Sequence, residues 1–196
     1  MARARFSITV SMRKTALTYS ARFEAARTWT RRAAALAIAL TVLAGDALAD
    51  QVGSVSGLPL PRYASLKTDR VNLREGPSKE HRTIWVYERA GLPVEITAEF
   101  EIWRKVRDSE GAEGWVLHTL LSGRRTALVG VGKTGQTFNV TGEPTGKGEV
   151  SARLESGVIV NLRKCDGNWC SVFGQGFKGY MAQNDLWGVY PGEKVE

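Results

Sequence analysis

The chain has 196 residues, with 27 Lys+Arg against 20 Asp+Glu and a formal net charge of +7, figures that would ordinarily point to a nucleic-acid or anionic-membrane partner. The excess is confined to one end: eight of the 27 basic and two of the 20 acidic residues precede Asp50, leaving 19 against 18 in the remainder. A nearly neutral body lacks the positive surface that binds phosphates by counterion release, so nucleic acid is not expected as a partner.

In chain order the first feature is "RRAAALAIALTVLAGDALA", residues 31–49. Two arginines, an apolar run from Ala33 to Ala44 and the small-x-small triplet Ala47, Leu48, Ala49 have the layout of a secretory signal peptide, with cleavage expected between Ala49 and Asp50. The apolar run is shorter than the roughly 20 residues of a membrane span, so stable membrane insertion is not expected after cleavage. Residues 1–30 are long for the charged leader of such a signal, and an Arg-rich, acid-poor transit peptide has similar composition; a start at Met12 explains the length more simply. Arg31 and Arg32 are a weak twin-arginine match, being followed by three alanines. The expected location is periplasmic or secreted.

Residues 50–61 read as a linker, with "LPLPRY" (58–63) a short polyproline-like strip that is either plain connection or the occupant of one of the chain's own grooves. From there the sequence is a succession of short strand-like runs broken by Gly, Pro, Asp and Asn. "TIWVY" (83–87) is one: if Ile84 and Val86 form its core pair, alternation turns Trp85 and Tyr87 outward. "PVEITAEF" (93–100) puts Val94, Ile96, Ala98 and Phe100 on one face, and "VIVNL" (158–162) does the same with Val158, Val160 and Leu162. The fold class is all-β.

The chain also matches itself. "VNLREGP" (71–77) parallels "FNVTGEP" (138–144), "ERAGLPVEI" parallels "LESGVIVNL", "IWRKV" parallels "NWCSV", and "EGWV" parallels "KGYM", which pairs Trp103 with Trp169 and Trp115 with Tyr180. Two tandem small β-barrels are expected, residues 62–129 and 130–191, with a short tail at 192–196. Each is near the size at which burial becomes marginal, so the two should pack together, with "RTALV" (125–129) as the last strand of the first.

"ALVGVGKTGQ" (127–136) imitates a phosphate-binding loop, but Ala127 stands where the first glycine should be, and a turn and strand follow Lys133 instead of a helix. Its glycines mark a flexible boundary between barrels. Cys165 and Cys170 flank "DGNW", strong turn chemistry, and a hairpin there would oppose them closely enough for a disulfide. That leaves no thiol for catalysis, and His81 and His118 both lie in the other repeat. The carboxylate pairs Glu99 with Glu101 and Glu110 with Glu113 read as solvated surface groups. No enzyme activity, cofactor or metal is expected.

"RVNLREGPS", "AEFEIWRKV" and "EGWVLHTLLSG" together resemble the bacterial SH3 domain family, small β-barrels of exported cell-envelope proteins. The second unit is looser: Thr141 replaces the family's arginine, and Glu143 separates Gly142 from Pro144. The resemblance runs from Arg62 to about Tyr190. It implies a non-catalytic module for cell-wall peptide, peptidoglycan or an envelope protein. A wall hydrolase with an unrecognised site and a structural subunit of an envelope assembly are the alternatives. Candidate binding residues are the aromatics Trp85, Tyr87, Trp103, Trp115, Trp169 and Tyr180, rings of the kind that supply rigid contact area.

Overall fold

The structure, a computed structural model, describes residues 51–196; the expected signal peptide and its cleavage site lie outside the described residues. A two-residue ribbon of β1 (Gln51–Val52) and β2 (Pro59–Leu60) comes first. It is followed by β3 (Arg62–Leu66), β4 (Val71–Arg74), β5 (Thr83–Tyr87), β6 (Pro93–Phe100), β7 (Trp103–Arg107), β8 (Glu113–Leu117) and β9 (Leu121–Ser122). Then come β10 (Thr126–Val129), β11 (Thr137–Thr141), β12 (Val150–Glu155), β13 (Ile159–Asp166), β14 (Trp169–Gly174), β15 (Phe177–Ala182), β16 (Leu186–Trp187) and β17 (Lys194–Val195). Among the described residues helix is limited to two single 3-10 turns, His118–Leu120 and Gln183–Asp185, and no helix is long and apolar enough to cross a membrane.

The strands form two sheets of matching order, β5-β4-β8-β7-β6-β3-β9 and β12-β11-β15-β14-β13-β10-β16, with β17 added beside β13 in the second. The duplication read in the sequence is therefore a duplication of topology. It extends to the irregularities: register shifts fall between Ile96 and Ala98 in the first sheet and between Leu162 and Lys164 in the second. An extra residue at these points bends a long strand, which lets one sheet curl round its own core. The first core gathers Leu66, Val71, Leu73, Tyr87, Val94, Ile96, Val106 and Val116; the second gathers Val129, Val140, Val160, Leu162, Cys165, Cys170, Val172 and Met181.

Four expectations need correction. The bulge after Ile96 breaks the alternation of β6, so Val94 and Ile96 are buried while Phe100 is exposed. Residues 126–129 are the first strand of the second domain: Thr126, Ala127 and Leu128 pair with Asn161, Val160 and Ile159, and Leu128 also pairs with Trp187. The glycines at 130, 132 and 135 accordingly lie in a loop inside the second domain, where all three take positive φ. Lys133 there donates to the Asp185 carboxylate at 2.8 Å. Finally, 50–61 is no plain linker. Leu60 enters the first core, and the turn before it delivers Val55 N–H, Ser56 N–H and the Ser56 hydroxyl to Glu99 at 3.0, 2.8 and 2.6 Å.

The disulfide between Cys165 and Cys170 is present, the two lying directly opposite each other on β13 and β14 with Cα atoms 4.1 Å apart. The domains dock through Tyr63, which meets the Trp187 ring edge-on at 5.2 Å and the Tyr190 ring at 4.7 Å. Around these rings the Tyr190 hydroxyl donates to Glu95 at 2.9 Å, and Arg125 donates to both carboxylate oxygens of Glu193.

Candidate binding pockets

On β7 and β8, Val106 and Val116 point into the core, so Trp103, Lys105, Trp115 and Leu117 occupy the opposite, outer face, where Trp103 pairs with Leu117 and Lys105 with Trp115. Arg74 pairs with Trp115 and lies on the same face, and Arg70 and Asn72 share its side of β4 because Val71 and Leu73 take the core side. These residues make a pocket of about 260 Å³ lined by Arg70, Asn72, Arg74, Lys79, Trp103, Leu117 and Leu120. Trp103 is only 5% exposed but lies outside the core cluster; it is part of the pocket's lining. Arg74 shapes the pocket by donating to the carbonyls of Lys79 and His81 at 3.0 and 2.7 Å, which holds the loop after β4 in place. The lining carries three cations and no carboxylate.

The corresponding outer face of the second domain presents rings that are part-exposed. Trp169 and Tyr180 line a pocket of about 390 Å³ together with Pro144, Arg163, Lys164, Asp166 and Ser171. Arg163, Ser171 and Tyr180 continue into a neighbouring depression of about 290 Å³ with Phe173 and Lys178. The Arg163 guanidinium lies over the Phe173 ring, 5.4 Å from its centre. Asp166 anchors the hairpin that carries Trp169, since its carboxylate accepts the backbone N–H groups of Trp169 and Asn168 at 2.8 Å each; those bonds, that from Trp169 first, hold its pKa below the usual carboxylate value. Thr141, standing where Arg74 stands in the first domain, reaches only the carbonyls of Glu143 and Tyr180. The loop after β11 is thus held differently, and its Gly146 lies close enough to the Trp169 ring that an added Cβ would meet the ring edge at 3.0 Å.

A third cavity, about 410 Å³, lies at the domain junction and is lined by Leu58, Arg62, Tyr63, Arg104, His118 and Arg125 among others. Its arginines each pair with a carboxylate, Arg62 and Arg104 with Glu99 and Arg125 with Glu193.

Of the six aromatics singled out in the sequence, the structure brings Trp169 and Tyr180 into one pocket and places Trp103 in another. Trp115 is half-buried on the outer face beside Lys105 and Arg74. Trp85 is 58% exposed on the edge strand β5. Tyr87 is corrected: it is buried in the first core, its hydroxyl donating to Asp108 at 3.0 Å, and burial followed by that carboxylate pushes its pKa well above the ordinary tyrosine value. The assumption that Ile84 and Val86 formed the core pair failed because Tyr87, opposite the buried Val71, takes the core side, leaving Ile84 exposed. Sequence reasoning missed the basic rims. Arg70, Asn72 and Arg74 could have been found from the alternation of R-V-N-L-R, whose apolar partners are core residues.

A family model described as Bacterial SH3 domain matches residues 67–123 and again residues 135–188. The chain belongs to the bacterial SH3 domain family. The two matched stretches cover most of each duplicated sheet; the first strand of each, β3 or β10, and β17 of the second lie outside the matched residues. Among solved structures the chain is similar to NlpC2 from Trichomonas vaginalis, at 16% identity and TM-score 0.30 over 65% of this chain and 48% of that one. It is also similar to NlpC1 from the same organism, at 17% identity and TM-score 0.30 over 69% and 48%. The chain spans about half the length of those structures. No curated protein matches it.

Proposed function

We propose that the tandem SH3 domains form a non-catalytic binding module of the cell envelope whose ligand is a cell-wall peptide or another extended, carboxylate-bearing chain. The observation that carries this reading is that both domains set the repeat-equivalent tryptophan, Trp103 or Trp169, in an outer-face pocket rimmed by Arg and Lys. Rings give sequence-tolerant, rigid contact area, and guanidinium and ammonium groups fix a carboxylate. The rings of the second pocket are the more accessible, Trp169 and Tyr180 being part-exposed where Trp103 is buried. The cysteines are joined to each other and supply no nucleophile.

The test uses the full chain and sedimented cell walls. Retention on the wall without clearing in a zymogram is expected. Tyr180→Ala and Lys164→Ala should each weaken retention, Tyr180→Ala by about tenfold, the equivalent of roughly 1.4 kcal/mol of lost contact. Clearing of the wall, or unchanged retention when Trp169 and Tyr180 are both replaced in a folded protein, overturns the reading.

A further inference from the structure

The duplication supplies an internal comparison of two sheet edges. β5 ends the first sheet and β12, its counterpart, ends the second. β12 reads VSARLE, with Arg153 and Glu155 exposed, and charges of this kind on a free edge discourage addition of another strand. β5 reads TIWVY: it carries no charge, and Ile84 and Trp85 are 40% and 58% exposed. An uncharged edge with exposed apolar side chains is the pattern that accepts a strand.

The residues flanking β5 identify the strand it fits. Antiparallel pairing of two copies about a two-fold axis through Trp85 sets Ile84 opposite Val86 and Thr83 opposite Tyr87, and it sets Arg82 opposite Glu88 at both ends. Centring on Ile84 instead puts Glu88 opposite Glu80, a like-charge pair; centring on Val86 puts Glu88 opposite Ile84 and leaves Arg82 without a carboxylate. Arg82 is available for such a pair, its side chain 74% exposed and its contact with Glu75 long, at 3.6 Å.

We propose that β5 is a self-association edge through which a second copy of this chain pairs antiparallel, centred on Trp85, joining two first-domain sheets into one. The edge is independent of the ligand pockets, in whose linings neither Ile84 nor Trp85 takes part. A five-residue strand pair covers less than the roughly 1,200 Å² of a stable interface, so the association is reversible on dilution.

Sedimentation velocity of the full chain over a concentration series should show a weight-average size that rises with concentration and falls again on dilution. Arg82→Glu should weaken self-association by about tenfold, and adding Glu88→Arg to it should restore pairing, a rescue that a merely structural role for either residue does not give. Directly opposed residues of an antiparallel pair have Cα atoms about 4.5–5.5 Å apart, within disulfide range, so Trp85→Cys should cross-link to its own copy under oxidation. A chain that stays monomeric across the series, a charge reversal without effect, or cross-linking by Ile84→Cys in place of Trp85→Cys overturns the proposal.

Discussion

Glu99 stands at the far end of β6 with its side chain fully buried, yet it is charged. Burial by itself would raise its pKa, but hydrogen bonds from the Ser56 hydroxyl and backbone, from Arg62 and from the Val55 N–H outweigh that and hold it at about 2, against an ordinary 4.5. Because the folded value lies below the unfolded one, the carboxylate contributes its full stabilisation above about pH 4.5 and loses it as the pH falls toward about 2. A shift of that size corresponds to on the order of 3 kcal/mol. Glu99→Gln should therefore lower the melting temperature markedly at pH 7, and the gap to the native chain should close as melts are repeated down to pH 2. A gap independent of pH would show that the charge is not what holds this corner. The sequence could not show this, because "EFEI" reads as a solvated strand end and the partners Ser56 and Arg62 lie 43 and 37 residues away.

The elements were legible where local chemistry decides them. The hairpin with its disulfide follows from turn residues and strand pairing, and the glycines at 114 and 179 announce close backbone approach. A Cβ at Gly114 would lie 2.7 Å from the Arg74 carbonyl oxygen, and one at Gly179 would lie 2.5 Å from that of Thr141, the same crossing in both domains. Since the obstacle is backbone, Gly114→Ala and Gly179→Ala should each destabilise the chain by about 1–3 kcal/mol in denaturant titrations, while Gly123→Ala, which meets nothing within 4 Å, should be neutral. Equal midpoints for all three variants would refute this. β10 was misread for a definable reason. Its counterpart β3 carries Ala64 where β10 carries Ala127, but the loop that follows is three residues longer in the second domain, which breaks the constant offset of the repeat just where the strand sits. A periodic match found downstream could not extend back across that insertion.

At the scale of the whole molecule, neither domain is large enough for its own core to leave a wide stability margin, and the aromatic junction couples the two. Tyr63 from the first domain is held between Trp187 and Tyr190 of the second, with the Arg125 guanidinium 5.8 Å from its ring centre. Burial and the nearby Glu95 raise its pKa to about 12, so it stays neutral across the physiological range. Each aromatic pair is worth roughly 1 kcal/mol beyond the area it covers, so Tyr63→Ala should weaken the junction by about 2 kcal/mol without entering either core. The native chain is then expected to unfold in a single calorimetric transition, because loss of one domain strips the junction from the other. In Tyr63→Ala that coupling falls while both sheets persist, so the transition should broaden or split in two, and the calorimetric enthalpy should exceed the van't Hoff value. Tyr63→Phe, which keeps the ring stacked against Trp187 and Tyr190, should retain the single transition. Two transitions already present in the native chain would mean that the domains fold independently and that the stacked rings orient them without coupling their stability.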